Sequence, residues 1–340
     1  MAADTDDDKT QAADQLHRTA HAAETGGDFD RALGFYRALG QIDPTNPKWA
    51  LDAVRVLRKS ERESEAAEAL KAALRKWPKV FDSELFRKSL PNLVPTEDKH
   101  RKALGDDVPG DEALKRAVVS DEDNADVIVG RGGRKTAVLV FTGLADRMVM
   151  PLPLFDRYLA ELDITSIFLR DSKRLGYFTG VSSLGDYDET IAALKDRLSD
   201  LGVTRVHTLG NSAGGMGAVS YGLDLGANQI IGFSAPVSLL DKVAQIDRRT
   251  AVFNERLMKY VPEPRRDLRA RIDAHTGDTH VQLFYGEEMP EDRFHAAALE
   301  GARNVSLHPL KGMAGHGALF SMAQSGKLRT LFRESFGETD

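Results

Sequence analysis

Two patterns of apolar residues divide the chain. From about Asp121 onward, short β-branched runs alternate with longer helix-compatible stretches. The runs Asp126–Val129 and Thr136–Phe141, separated by Gly130-Arg131-Gly132-Gly133, predict two adjacent strands joined by a turn. A helix over Leu154–Leu162, a strand over Thr165–Leu169 and a helix over Tyr187–Leu201 follow. Beyond them come strands at Val203–Leu209, Gln229–Phe233, His280–Tyr285 and Val305–Leu310, with helices after Ser212, at Glu291–Leu299 and at the end. Strands alternating with helices imply an α/β domain with a mostly parallel sheet, helices on both faces, over 111–340.

Before that domain the pattern is helical and repeats. Gly27-Asp28-Phe29-Asp30-Arg31-Ala32 is followed by Tyr36 and Asp43-Pro44. A shift of 34 residues carries Ala32 to Ala66, Pro44 to Pro78, Tyr36 to Leu70 and Leu39 to Ala73. Small residues let paired helices approach, and proline ends the second helix of each pair. The second copy is less faithful, because Glu61 stands where the turn glycine should be. The segment GDFDRALGFYRALGQIDPTNP resembles the tetratricopeptide repeat, whose period is 34 residues. The resemblance implies an all-α repeat domain over 13–110 and a protein partner for it. Two repeats fall short of a stable stack, so helices around Phe81–Leu90 and Glu112–Val118 are expected to extend or cap it. Residues 1–12, charged and nearly without large apolar groups, read as disordered.

Composition narrows the classes. A net charge of −6 over 340 residues argues against nucleic acid as the main partner. With no cysteine there is no thiol nucleophile, thiolate metal site or disulfide. The nine histidines show no ligand spacing such as H-E-x-x-H, so no metal and no cofactor is expected. The acidic start MAADTDDDKT is unlike a secretory signal and no apolar run is long enough to span a bilayer, so a cytoplasmic location is expected.

The chemistry gathers at Val203–Tyr221. Gly210-Asn211-Ser212-Ala213-Gly214 lies between a strand and a helix, a G-x-S-x-G pattern. A serine on such a turn takes strained backbone angles, so the residues two before and two after must be small. Its hydroxyl then stands over the sheet end, and the Ala213 N–H faces it from a helix start, where negative charge is favoured. A dinucleotide loop would need glycine at Ser212, and Gly132-Gly133-Arg134-Lys135-Thr136 lacks the glycine that a phosphate-binding loop has before its lysine. His316, flanked by Gly315 and Gly317 just after the last strand, is the candidate base; His308 and His207 lie inside strands.

With these residues quoted, the stretch 121–340 resembles the α/β-hydrolase fold, which orders its groups nucleophile, acid, histidine along the chain. The resemblance implies a serine hydrolase or esterase acting on a small-molecule or glycan-linked acyl substrate through Ser212, His316 and an acid. An O-acyltransferase using the same groups, or a repeat-bearing adaptor with an inactive hydrolase domain, are the alternatives. The acid of the family stands where Met289 is found here. Asp292 matches a variant with a longer loop, and Glu288 and Glu287 are the substitutes. The oxyanion hole is expected from the Ala213 N–H together with that of Leu144 or Gly143, after the strand Thr136–Phe141. The stretch Arg170–Phe178 begins on the same sheet edge and is a candidate for shaping the pocket. Residues 236–279 form a candidate helical cap, read either as a basic lining for an anionic group or as solvated, salt-bridged helix.

Overall fold

The computed structural model describes residues 4–77, 97–121, 125–144, 146–237 and 251–337, which fall into two compact units, Met1–Thr96 and Glu97–Asp340. The boundary lies earlier than the 110/111 division that the sequence suggests. Residues 97–111 belong with the second unit because their polar groups are taken there. Asp107 accepts the Tyr158 hydroxyl at 3.0 Å, and the Arg157 guanidinium donates to the Pro109 carbonyl at 2.6 Å and to Asp111.

The first unit contains α1 (Asp4–Thr25), α2 (Phe29–Ile42), α3 (Pro47–Lys59) and α4 (Glu63–Lys76), each packed on the next. Its core joins Ala32, Leu33, Tyr36, Leu39, Trp49 and Ala66, so the repeat positions Ala32 and Ala66 do face a shared interior. Helix α1 begins at Asp4, within the stretch 1–12 that the sequence reads as disordered. Gly27 and Glu61 occupy equivalent turns with φ of 80° and 60°, so the glutamate adopts the left-handed geometry that its sequence position demands. Inside this unit Glu24 accepts hydrogen bonds from Arg55, Lys59 and Tyr36. Burial alone would raise its pKa, but these donors outweigh it and bring the carboxyl down to about 2. The expected helix around Phe81–Leu90 lies outside the described residues.

The second unit opens with α5 (Glu97–Leu104). The helix expected over Glu112–Val118 is reduced to a single 3₁₀ turn, Asp111–Ala113. Its backbone groups are drawn elsewhere: Lys115 N–H donates to the Ala160 carbonyl and Val119 N–H to Asp156. The Arg116 guanidinium makes a bidentate pair with Asp156, both contacts 2.7 Å, with side chains 6% and 0% exposed.

The sheet comprises β1 (Val127–Gly130), β2 (Thr136–Phe141), β3 (Thr165–Leu169), β4 (Arg205–Asn211), β5 (Gln229–Phe233), β6 (His280–Gly286) and β7 (Val305–Leu310), in the order β1-β3-β2-β4-β5-β6-β7. All neighbours are parallel except β1, which runs antiparallel to β3. The hairpin expected between β1 and β2 is therefore not formed, because β3 lies between them. Both faces are covered, so β2 is buried along its length: Ala137, Leu139 and Phe141 enter one core, Val138 and Val140 the other. The first core carries α7 (Tyr187–Asp200) and α8 (Ala213–Leu225), and the second carries α6 (Leu152–Glu161) and the C-terminal helix. The described part of the insertion forms α9 (Ala251–Tyr260), α10 (Glu263–Arg266) and α11 (Leu268–Ala274), with α11 packed on α8. After β6 and β7 come α12 (Pro290–Ala297), α13 (Ala318–Gln324) and α14 (Leu328–Phe336). Parallel strands put the ends of β2, β4, β5, β6 and β7 on one edge, with Phe141 opposite Gly210 and Asn211 opposite Phe233.

Candidate active site

The turn between β4 and α8 is built by close approach of backbone. A Cβ on Gly210 would lie 2.2 Å from the Gly214 carbonyl oxygen, and one on Gly214 would lie 2.1 Å from that of Phe141. Both small positions of the G-x-S-x-G pattern are thus sterically required. Ser212 between them has φ 53° and ψ −126°, a conformation that costs a non-glycine residue roughly 1–3 kcal/mol. Its N–H donates to the Phe233 carbonyl at 2.8 Å, which fastens the strained residue to β5. The Ser212 side chain makes no capping bond to α8, so its oxygen is left for another partner.

That partner is His316. Ser212 Oγ stands 2.9 Å from His316 Nε2, and His316 Nδ1 stands 2.7 Å from Asp292 Oδ1. Asp292 lies in the first turn of α12, where the helix dipole favours an anion, and is 3% exposed. A carboxylate at Nδ1 holds the proton on that nitrogen and leaves the Nε2 lone pair facing the serine. The arrangement is thereby set to take a proton from Ser212. Glu288 is exposed on the loop before α12, and it is its backbone N–H, donating to the Met313 carbonyl at 3.0 Å, that meets the histidine loop. Glu287 likewise donates its N–H to the Leu310 carbonyl. Of the three carboxylates considered from the sequence, the structure brings Asp292 to the imidazole.

The two strand histidines are elsewhere. His207 is 2% exposed, with neither ring nitrogen hydrogen-bonded and its ring 5.0 Å from that of Phe336. Burial, helped by the charge of Arg205, lowers its pKa to about 4. His308 stacks on Phe284 at 4.4 Å.

Around the hydroxyl, the Ala213 N–H opens α8 next to Ser212. The Gly143 N–H is committed to the Arg147 carbonyl at 3.1 Å, while Asp146 N–H donates to the Gly143 carbonyl at 3.0 Å. Leu144 is 44% exposed. Of the two donors named from the sequence, Gly143 thus has its N–H taken within the loop. Gly143 itself borders the elbow, since a Cβ there would lie 3.3 Å from the Asn211 carbonyl oxygen.

The described arginines of the insertion bond within the second unit. Arg271 bonds Asp224 and the Ser220 carbonyl, and Arg269 bonds Asp273 and two carbonyls after α12. Arg265 lies over the Tyr187 ring, Arg266 bonds the Val261 carbonyl, and Arg256 bonds that of Lys173. Each of these described arginines is engaged by a carboxylate, a backbone carbonyl or a ring; Arg248 and Arg249 lie outside the described residues. No cluster of three or more metal-ligating side chains occurs among the described residues.

Two features escaped sequence reasoning. Ser234, at the end of β5, has φ 46° and approaches the Ala318 N–H just past His316. Tyr177 is buried with φ 66° and reaches back to Thr142. Neither carries a motif, since a left-handed serine or tyrosine looks like any other in the chain. In the sequence the stretch Arg170–Phe178 is marked only by its place on the sheet edge.

The second unit is a seven-stranded, mostly parallel α/β sheet with helices on both faces, the architecture that the sequence resemblance implies. Residues 25–84 match the family model described as tetratricopeptide repeat. A search among curated proteins finds no match. Among solved structures the chain is similar to a putative esterase from Staphylococcus aureus (14% identity, 77% of this chain and 97% of that one, TM-score 0.46). It is also similar to an esterase from Pyrococcus furiosus (15% identity, 66% and 93% covered, TM-score 0.44). A third is the capsule O-acetyltransferase of Neisseria meningitidis serogroup A (14% identity, 61% and 90% covered, TM-score 0.42). No helix of the described residues is long and apolar enough to cross a membrane.

Proposed function

We propose that the chain is a serine hydrolase that cleaves an ester or related acyl bond through Ser212, His316 and Asp292. The observation that carries this reading is the unbroken line Ser212 Oγ–His316 Nε2 and His316 Nδ1–Asp292 Oδ1, at 2.9 and 2.7 Å, on a strained strand-to-helix turn. His316 takes the hydroxyl proton as Ser212 Oγ attacks the acyl carbon. The developing oxyanion is held by the N–H groups of Ala213 and Leu144, and His316 then gives its proton to the leaving alcohol. Water, activated by the same imidazole, cleaves the acyl-enzyme and restores the serine.

The His316 side chain is 32% exposed, so the water that deacylation needs can reach the imidazole. The repeat unit supplies no group to this chemistry. Its role in the proposal is to bind a protein partner, as such helical stacks do.

Labelling with a fluorophosphonate probe tests the reading. The parent protein should become labelled at Ser212 and should hydrolyse short p-nitrophenyl esters, while Ser212→Ala should do neither and stay within about 1 kcal/mol of parental stability. A parent protein that resists the probe and turns over no ester would favour the inactive adaptor instead.

A further inference from the structure

We infer that Tyr177, supported by Arg174, is a positioning residue that locks the Leu144 N–H into the orientation an oxyanion requires. This rests on the serine hydrolase reading above and adds to it a structural source for the second oxyanion donor.

An N–H on an exposed loop is useful to a transition state only if its peptide plane is fixed beforehand. The plane that carries the Leu144 N–H also carries the Gly143 carbonyl, which accepts the Asp146 N–H at 3.0 Å. In a trans peptide the N–H points opposite to the carbonyl, so this bond turns the Leu144 N–H away from the loop's own turn. The planes on either side are held from outside the loop. The Tyr177 hydroxyl lies 3.0 Å from the Thr142 carbonyl oxygen, 2.8 Å from that of Leu169 and 3.1 Å from Thr142 Oγ. The Arg174 guanidinium donates to the Leu144 carbonyl and stands 3.5 Å from Asp146 Oδ2. The peptide planes 142–143 and 143–144 are thus pinned, and the turn that follows β3 holds the Thr142 and Leu144 carbonyls.

That turn is itself over-determined. Arg174 and Tyr177 have φ of 53° and 66°, conformations that persist only where neighbours enforce them. Asp171, buried at the end of β3, accepts the N–H groups of Leu175 and Tyr177 at 2.7 and 3.0 Å. The Tyr177 carbonyl accepts the Tyr221 hydroxyl of α8 at 2.9 Å. The helix that begins beside Ser212 therefore bonds the residue that fixes the opposite side of the hole. A clamp that tied only β2 to β3 would need no contact with α8 and no guanidinium on Leu144.

The test compares Tyr177→Phe and Arg174→Gln with the parent enzyme on one p-nitrophenyl ester, together with thermal stability and the infrared carbonyl stretch of the acyl-enzyme. A donor held at the wrong angle polarises the acyl carbonyl less and stabilises the transition state less. Both variants should lose kcat by roughly tenfold or more while KM stays within about twofold, and the carbonyl stretch should move to higher frequency. Arg174→Gln, a change at a partly exposed side chain, should do so with little loss of stability, which keeps the test open if Tyr177→Phe folds poorly. Parental kcat and an unmoved carbonyl stretch in Arg174→Gln and in a folded Tyr177→Phe would overturn the inference. An inactive, unlabelled parent would instead remove the hydrolase reading on which it rests.

Discussion

Gly286 and Met313 meet so closely that a Cβ on the glycine would lie 2.7 Å from the Met313 carbonyl oxygen, and 2.8 Å from that of Gly315. The strand end that leads to Asp292 is thereby pressed against the loop that carries His316. Gly286→Ala has to push that loop outward, and the distances from His316 to both partners change with it. The expected result is a fall in kcat of roughly ten- to a hundredfold with KM little altered, because small misplacements of reacting groups are costly. Steady-state kinetics on a single ester checks it, and parental kcat would mean that the loop tolerates the shift.

Asp292 and Glu288 make opposite predictions. Asp292→Asn favours the wrong imidazole tautomer, so kcat should fall by roughly three to four orders of magnitude. Glu288→Gln changes an exposed side chain whose loop is held through its backbone, and should stay within about twofold of parent. A reversal of these effects would move the supporting acid to Glu288.

His207 predicts a pH dependence of stability. Its folded pKa, lowered to about 4 by burial, lies below the ordinary imidazole value of 6.5. Between those values the unfolded chain binds a proton that the folded chain does not. Stability contributed by the neutral ring is therefore complete above about pH 6.5 and is lost as pH falls toward 4, by at most roughly 3 kcal/mol. His207→Leu should flatten the loss of stability over that window in chemical denaturation series. An unchanged slope would show that the acid sensitivity arises from other groups.

Glu61 sits at φ 60° where the equivalent turn carries Gly27. Glu61→Gly should stabilise the helical unit by about 1 kcal/mol, the usual cost of a left-handed side-chain residue. Both tryptophans, Trp49 and Trp77, belong to this unit, so their fluorescence in a urea titration reports on it separately from the second unit. A lower midpoint in the glycine variant would refute the argument.

The parts legible in the sequence were those in which local chemistry dictates geometry. The runs Thr165–Leu169 and Gln229–Phe233 coincide with β3 and β5, because buried parallel strands are largely continuous apolar or β-branched segments bounded by turns, and Val305–Leu310 coincides with the edge strand β7. The glycines at 210 and 214 announced a collision that the backbone does enforce. Asp292 was legible only as a preference among carboxylates, since which of them reaches His316 depends on how α12 starts. Strand order was not legible at all: β1 and β2 are neighbours in sequence, and only the packing of β3 between them decides otherwise. The segment after Ala113 misled for a related reason. Its composition suits a helix, but Asp156 and the Ala160 carbonyl, distant in sequence, compete for its donors.

The Arg116–Asp156 pair has a consequence for how mutational data on this chain would read. Both ions are almost wholly enclosed and paired, so replacing either alone strands a charge and should cost roughly 3–5 kcal/mol, whereas replacing both strands no charge and should cost less, the Val119 N–H and Ser166 hydroxyl being what then needs a new partner. A single-substitution scan would rank the two positions with Ser212 and His316 as intolerant, although neither bonds a member of the Ser212–His316–Asp292 line. Paired substitutions would separate them: tolerance returns for Arg116 with Asp156 and never for the serine with the histidine. Intolerance in this unit thus comes in two kinds, one that a second change can repair and one that it cannot.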